Sequence, residues 1–138
     1  MGRILAIDYG SKRVGLAVTD SLRIISTGLT TIHSKDVVKY LEDYFKTEVV
    51  DEIVVGEPKT LKNEKSDSAR FIDPFVRHLE KKFPDKKIVR YDERFTSALA
   101  KQTMIDGGVK KKGRQDKAAV DLISAIIILQ DYMSFINR

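Results

Sequence analysis

The chain contains no cysteine and no tryptophan, and among its 138 residues only 3 are proline and 8 are glycine. Without cysteine there is no disulfide framework, zinc ribbon, iron–sulfur cluster or thiol nucleophile. The scarcity of proline and glycine excludes a collagen-like or low-complexity chain. Long hydrophobic runs are missing too. The longest purely apolar run, Ala125 to Leu129, falls far short of the roughly 20 residues that a membrane-crossing helix needs. No secretory signal pattern opens the sequence, because Asp8 interrupts the first apolar stretch after a few residues. A cytoplasmic protein without a membrane partner is therefore expected. Aromatic residues make up 8% and are not interleaved with the basic stretches, which argues against a base-stacking platform for single strands. His33 and His78 lack metal-ligand spacing; His33 reads as a loop or cap neighbour and His78 as a helix-surface residue.

What is present describes a globular chain. Hydrophobic residues make up 42% and charged residues 33%, and the length suits one domain over 1–138 without a linker. A chain of this size buries roughly two-thirds of its unfolded surface, enough to fold without staples. Lys and Arg number 25 against 20 Asp and Glu, giving +5. Such a charge fits a polyanionic partner, since neutralising phosphates releases counterions, although it also serves solubility alone.

The apolar pattern sets out the elements. Arg3 to Asp8 (RILAID) reads as a buried central strand closed by an acid. Arg13 to Thr19 alternates, with Val14, Leu16 and Val18 on one side and the small Gly15, Ala17 and Thr19 on the other, leaving space over that face. Ile24 to Ile32 predicts a third strand with a bulge at Gly28, completing an antiparallel meander. Ser34 or Asp36 is expected to cap a helix carrying Val37, Val38, Leu41, Tyr44 and Phe45. Glu52 to Gly56 is a fourth strand, and Glu57 to Ser66 a polar loop. A helix running to Phe83 contains Pro74, so it either kinks there or begins there with Asp73 as cap. Lys87 to Tyr91 is a fifth strand. Thr96 opens a helix ended by Gly107 and Gly108, and a basic loop leads to a long apolar helix from Ala118 to Ile136. The order βββαβαβαα implies a mixed five-stranded sheet with helices on its faces.

Three acids stand where chemistry is expected. Asp8 closes a buried strand, and sites in open α/β sheets form outside the carboxyl ends of the strands. Its alternative reading is a turn aspartate in Asp8-Tyr9-Gly10. Asp92 and Glu93 follow the fifth strand, and since neighbours face opposite sides only one of them enters a given site. Helical spacing aligns Asp121 with Ala125, Ile128 and Tyr132, an apolar stripe where an acid is costly unless it meets a cation or hydrogen bonds. Favourable interaction with the helix dipole is the competing account. Three carboxylates from distant segments suit Mg²⁺ or Mn²⁺, hard ions that take oxygen ligands, and such ions can activate water for phosphodiester cleavage. Lys110, Lys111, Lys112, Arg114 and Lys117 precede Asp121, while Lys12, Arg13 and Arg94 flank the other acids; all are candidates for phosphate contacts.

Several segments together resemble the YqgF/RuvX family. They are Ile7 to Gly10, Arg13 to Asp20, Val54 to Pro58, Asp92 to Ser97, and Val120-Asp121 running into Ser124 to Gln130. The resemblance spans nearly the whole chain and implies a ribonuclease H-like fold and metal-dependent endonuclease chemistry. It further implies catalytic and metal-binding roles for Asp8, Glu93 and Asp121, and 5′-end trimming of the small-subunit ribosomal RNA precursor. Motif alignment, not spacing, selects Glu93 over Asp92. The chain departs from the family pattern at Glu57, where an apolar residue is common, and after Pro58, where a glycine before the helix is replaced by Lys59 to Glu64.

Structured RNA is the expected partner, with branched DNA the alternative substrate of a resolvase; a homodimer is compatible with either. A second hypothesis is a non-catalytic nucleic-acid-binding module in ribosome maturation or transcription, in which Asp8→Asn changes nothing. A third is a nucleotide-binding phosphotransferase, because an Asp-x-Gly strand turn also opens the phosphate loops of actin and sugar kinases. Those proteins pair two such domains, and this chain has room for one.

Overall fold

The computed structural model describes residues 2–10, 12–57, 69–92 and 117–136. Five strands, β1 (Arg3–Tyr9), β2 (Arg13–Thr19), β3 (Ser26–His33), β4 (Val50–Glu57) and β5 (Lys87–Asp92), form one sheet in the order β3-β2-β1-β4-β5. The first three pair antiparallel, while β4 and β5 add parallel to β1, as the strand order implied. Three helices, α1 (Val37–Thr47), α2 (Ala69–Lys82) and α3 (Lys117–Ile136), complete the described elements.

Alternation along the central strands divides the core in two. Leu5 and Ile7 of β1, Val14, Leu16 and Val18 of β2, and Ile53 and Val55 of β4 face α1 and α2, meeting Val37, Leu41, Ile72, Phe75 and Leu79. The opposite set, Ile4, Ala6, Ala17 and Val54, faces α3 and packs on Ala125, Ile128, Leu129, Tyr132 and Met133. Because β1, β2 and β4 are covered on both sides, they read as apolar runs. The helix α3 lies across β1, β2 and β3.

Local chemistry redraws several expected boundaries. β3 starts at Ser26, not Ile24, and Ile24 and Ile25 are 67% and 62% exposed. Their amides donate to Asp20 Oδ1 at 2.7 and 3.0 Å, and Arg23 takes a positive φ of 58°, so this stretch belongs to the turn. The backbone amides holding Asp20 also lower its pKa below the usual carboxylate value. The bulge falls beside Gly28: Leu16 pairs with Thr30 and Ala17 with Gly28, leaving Leu29 as the extra residue. A 3-10 turn, Ser34–Asp36, precedes α1, and Asp36 makes no side-chain cap bond; instead His33 accepts from the Lys35 amide at 3.2 Å.

The helix α2 passes through Pro74, so Asp73 is not its cap. One lost backbone bond is tolerated because buried Ile72, Phe75, Val76 and Leu79 hold the segment on the sheet. Asp73 instead pairs with Arg90 of β5 at 2.6 Å. The helix expected from Thr96 to Gly107, and the basic loop before Lys117, lie outside the described residues. Among the described residues no helix is long and apolar enough to cross a membrane.

Candidate active site

The parallel strands β1, β4 and β5 end on one edge of the sheet, and Asp8 stands near the end of β1. It lies within the strand, paired with Gly15 of β2, and the turn that follows is closed further on by Gly10 N donating to Arg13 O at 2.9 Å. The Asp8 backbone thus belongs to the strand and not to the turn that follows it. Two-residue parity places Asp8 with Ile4 and Ala6, on the face covered by α3. Tyr9 points the other way and stacks on Phe75 with ring centroids 4.2 Å apart, which fixes the end of β1 on α2. Burial there raises the Tyr9 phenol pKa.

Gly15 explains how α3 reaches the same place. A Cβ on Gly15 would lie 2.2 Å from the Asp121 carbonyl oxygen and 2.6 Å from its carbon. The helix backbone at Asp121 thus rests directly on Gly15, the cross-strand partner of Asp8. The small face of β2 is the seat of α3, and it brings the two acids to one layer of the molecule. Below Asp121, Ala125, Ile128 and Tyr132 are buried in the sheet-facing stripe, as the helical spacing implied.

The cation that such an acid requires is Arg13. Its Nε donates to Asp121 Oδ2 at 2.9 Å, with the two side chains 40% and 23% exposed. Arg13 shares the parity of Gly15 and Ala17, so its side chain belongs to the α3 face. Sequence reading marked it as a phosphate contact and missed this ion pair; the parity of β2 was the available signal. Lys12 is exposed, and its carbonyl accepts from the Ser34 amide at 3.0 Å. His33 pairs across the ladder with Arg13 and is exposed, and His78 is exposed on α2.

Glu93, Arg94, Lys110, Lys111, Lys112 and Arg114 lie outside the described residues. The chain enters that region from β5, whose last residue, Asp92, pairs with Glu57 at the end of β4. Among the described residues no group of three or more His, Cys, Asp or Glu side chains is placed to hold a metal ion. A second acid on the α3 face, Glu52, escaped notice in the sequence. It pairs with Ile4 near the start of β1, far along the ladder from Asp8, and is buried, its Oε2 without a hydrogen bond among the described residues. Lys87 Nζ lies 3.5 Å from its Oε1. Burial, reinforced by the Glu52 carboxylate, holds the Tyr132 phenol far above its usual pKa.

Residues 2–135 match the family model described as RuvX, Holliday junction resolvase. The chain belongs to the RuvX family. It is 55% identical over 133 residues to a protein of Christiangramia forsetii named "Putative pre-16S rRNA nuclease", covering 96% of this chain and 98% of that one. Proteins of the same name from Flavobacterium johnsoniae and Parabacteroides distasonis are each 53% identical, over 97% and 96% of this chain and 97% and 95% of theirs. Among solved structures, the fowlpox virus Holliday junction resolvase superposes with a TM-score of 0.59 at 14% identity, covering 96% of this chain and 99% of that one. Thermus thermophilus RuvC, "in complex with Holliday junction substrate", gives 0.57 at 15% identity, over 98% and 96%. These two likenesses establish the fold, which is ribonuclease H-like.

Proposed function

We propose that this RuvX-family protein is a nuclease that hydrolyses phosphodiester bonds in structured RNA and trims the 5′ end of the pre-16S ribosomal RNA. The observation that carries this reading is the seating of α3 on Gly15, which puts Asp121 and Asp8 on one face at the carboxyl end of β1. Nearly full-length relatives named for pre-16S rRNA support that substrate. A ribosome-maturing role implies cytoplasmic work, and 1–138 is read as one domain.

The donor set fits a hard divalent ion, since both described acids offer oxygen ligands only and face the same layer. Asp8, Asp121 and Glu93 would hold Mg²⁺ or Mn²⁺. The motif shared with the family selects Glu93 over Asp92. Such an ion, when bound, supplies an activated water and stabilises the leaving oxygen. The chain's own tasks are to hold the acids rigidly and to orient the strand: Lys12, Arg13, Arg94, Lys110, Lys111, Lys112 and Arg114 are assigned to phosphates. Branched DNA is the second reading, favoured by the family description.

The test incubates wild type and Asp8→Asn with a structured RNA precursor and a four-way DNA junction, each with Mg²⁺, Mn²⁺ or chelator. Metal-dependent cleavage of RNA by wild type alone is expected. Preference for the junction would replace the substrate. No cleavage, with salt-sensitive binding by both proteins, would leave a binding module.

A further inference from the structure

Among the described residues, Arg13 is held by one side of its guanidinium. Nε bonds Asp121, whereas neither terminal nitrogen hydrogen-bonds anything among the described residues, and the side chain is 40% exposed. A guanidinium presents two donor edges: one combines Nε with a terminal nitrogen, the other is made by the two terminal nitrogens. The first faces the acid, and among the described residues nothing bonds the second, whose fork geometry matches two phosphate oxygens. The Asp121 backbone is seated on Gly15, which fixes the point from which its carboxylate reaches Arg13. Beside Arg13 stands its ladder partner His33, and Lys12 and Lys35, close to that pair in sequence, are exposed. Arg13 and His33 thus pair at the end of the β2–β3 ladder.

We propose that Arg13 is a two-ended positioning residue, gripping a phosphate group of the nucleic-acid strand with its terminal nitrogens while its Nε orients the Asp121 carboxylate. The phosphate so held is the one at, or next to, the bond being cut, because the same side chain touches the acid. This rests on the nuclease reading above and goes beyond it by linking strand recognition to the acid.

Binding of a hairpin RNA is measured against salt in the Asp8→Asn background, with Arg13 intact, Arg13→Lys or Arg13→Ala. Loss of one phosphate contact lowers the slope of log affinity against log salt by about 0.7–0.9. That drop is expected for Arg13→Ala, while Arg13→Lys keeps the slope. In the Asp8-containing enzyme both variants are expected to lose at least tenfold in kcat at saturating RNA, since lysine cannot hold acid and phosphate together. Only Arg13→Ala should also raise KM. Crystal structures of both variants should show the Asp121 carboxylate turned from its present position, and melting curves confirm folding. An unchanged slope in Arg13→Ala overturns the phosphate contact, and an unmoved Asp121 with unchanged kcat overturns the positioning role. If wild type cleaves nothing, the nuclease reading fails, while the slope and the Asp121 orientation still decide the role of Arg13.

Discussion

Replacing Gly15 by alanine tests the central structural argument with a single methyl group. The new Cβ would stand 2.2 Å from the Asp121 carbonyl oxygen and 3.2 Å from the Leu122 nitrogen, where contacts below 3.0 Å are essentially never seen. The atoms in the way are helix backbone, so no side-chain rotation relieves the clash. Either β2 or the start of α3 must move by the better part of an ångström. Overpacking of this kind costs about 1–3 kcal/mol, or roughly 3–10 °C in Tm for a chain of this length. A displacement near 1 Å at a catalytic acid costs on the order of 100-fold in rate. Gly28→Ala is the matched control beneath the same helix. Its Cβ would meet the Leu122 Cγ and Ile126 Cδ1 carbons at 3.0 and 3.1 Å, and side chains there can yield by a few tenths of an ångström. A change within about 0.5 kcal/mol is expected. Thermal melts and cleavage kinetics of the two variants decide the matter. Wild-type stability and activity in Gly15→Ala, or equal damage from Gly28→Ala, would refute the seating of α3 on Gly15.

Other perturbations follow from the same coordinates. Asp8→Asn should abolish cleavage of the RNA precursor without lowering Tm, because the change keeps the size of a half-buried side chain; a gel assay and a melt check both. Leu41→Ala removes a fully buried side chain between α1 and the sheet and should cost about 2–5 kcal/mol in urea denaturation. Tyr132→Phe separates a pH effect. The Tyr132 pKa is raised in the folded protein, so its proton is kept there but lost from the unfolded chain above pH 10. That contribution to stability is complete below pH 10 and declines as pH rises, by at most about 1.4 kcal/mol per pH unit. Between pH 9 and 11, wild type should therefore lose more stability than Tyr132→Phe; parallel losses would contradict the assignment.

The strands were legible because burial on both faces leaves apolar runs such as Ile4 to Ile7 and Ile53 to Val55, which no solvent-facing element would carry. The start of β3 was not, since Ile24 and Ile25 have strand-like side chains and the deciding interaction is made by their amides with Asp20. Hydropathy is blind to where an amide bonds. Pro74 left two readings open for a related reason: its local cost is real, but packing by Ile72, Phe75 and Leu79 outweighs one missing hydrogen bond and the helix runs through. The cap of the turn before α1 is a histidine, which rules for Ser, Thr, Asp and Asn at N-caps pass over.

Asp121 shows how far sequence carries a site. Its position on an apolar stripe signalled that it must meet a cation or hydrogen bonds, yet the partner lies 108 residues away in the chain, and only the fold brings Arg13 to it. Glu52 poses the complementary problem, as a second acid facing α3 that periodicity treats in the same way. What separates the two is strand direction. Glu52 pairs with Ile4, near the start of β1, and is enclosed with Tyr132 and beside Lys87. Asp121 meets the sheet at Gly15, opposite Asp8, where the parallel strands end. Loops can gather around a ligand at that end, whereas an acid enclosed at the other is committed to its packed neighbours. The direction of β1, β4 and β5 therefore supports the proposed chemistry at Asp8 and Asp121 and sets Glu52 apart from it.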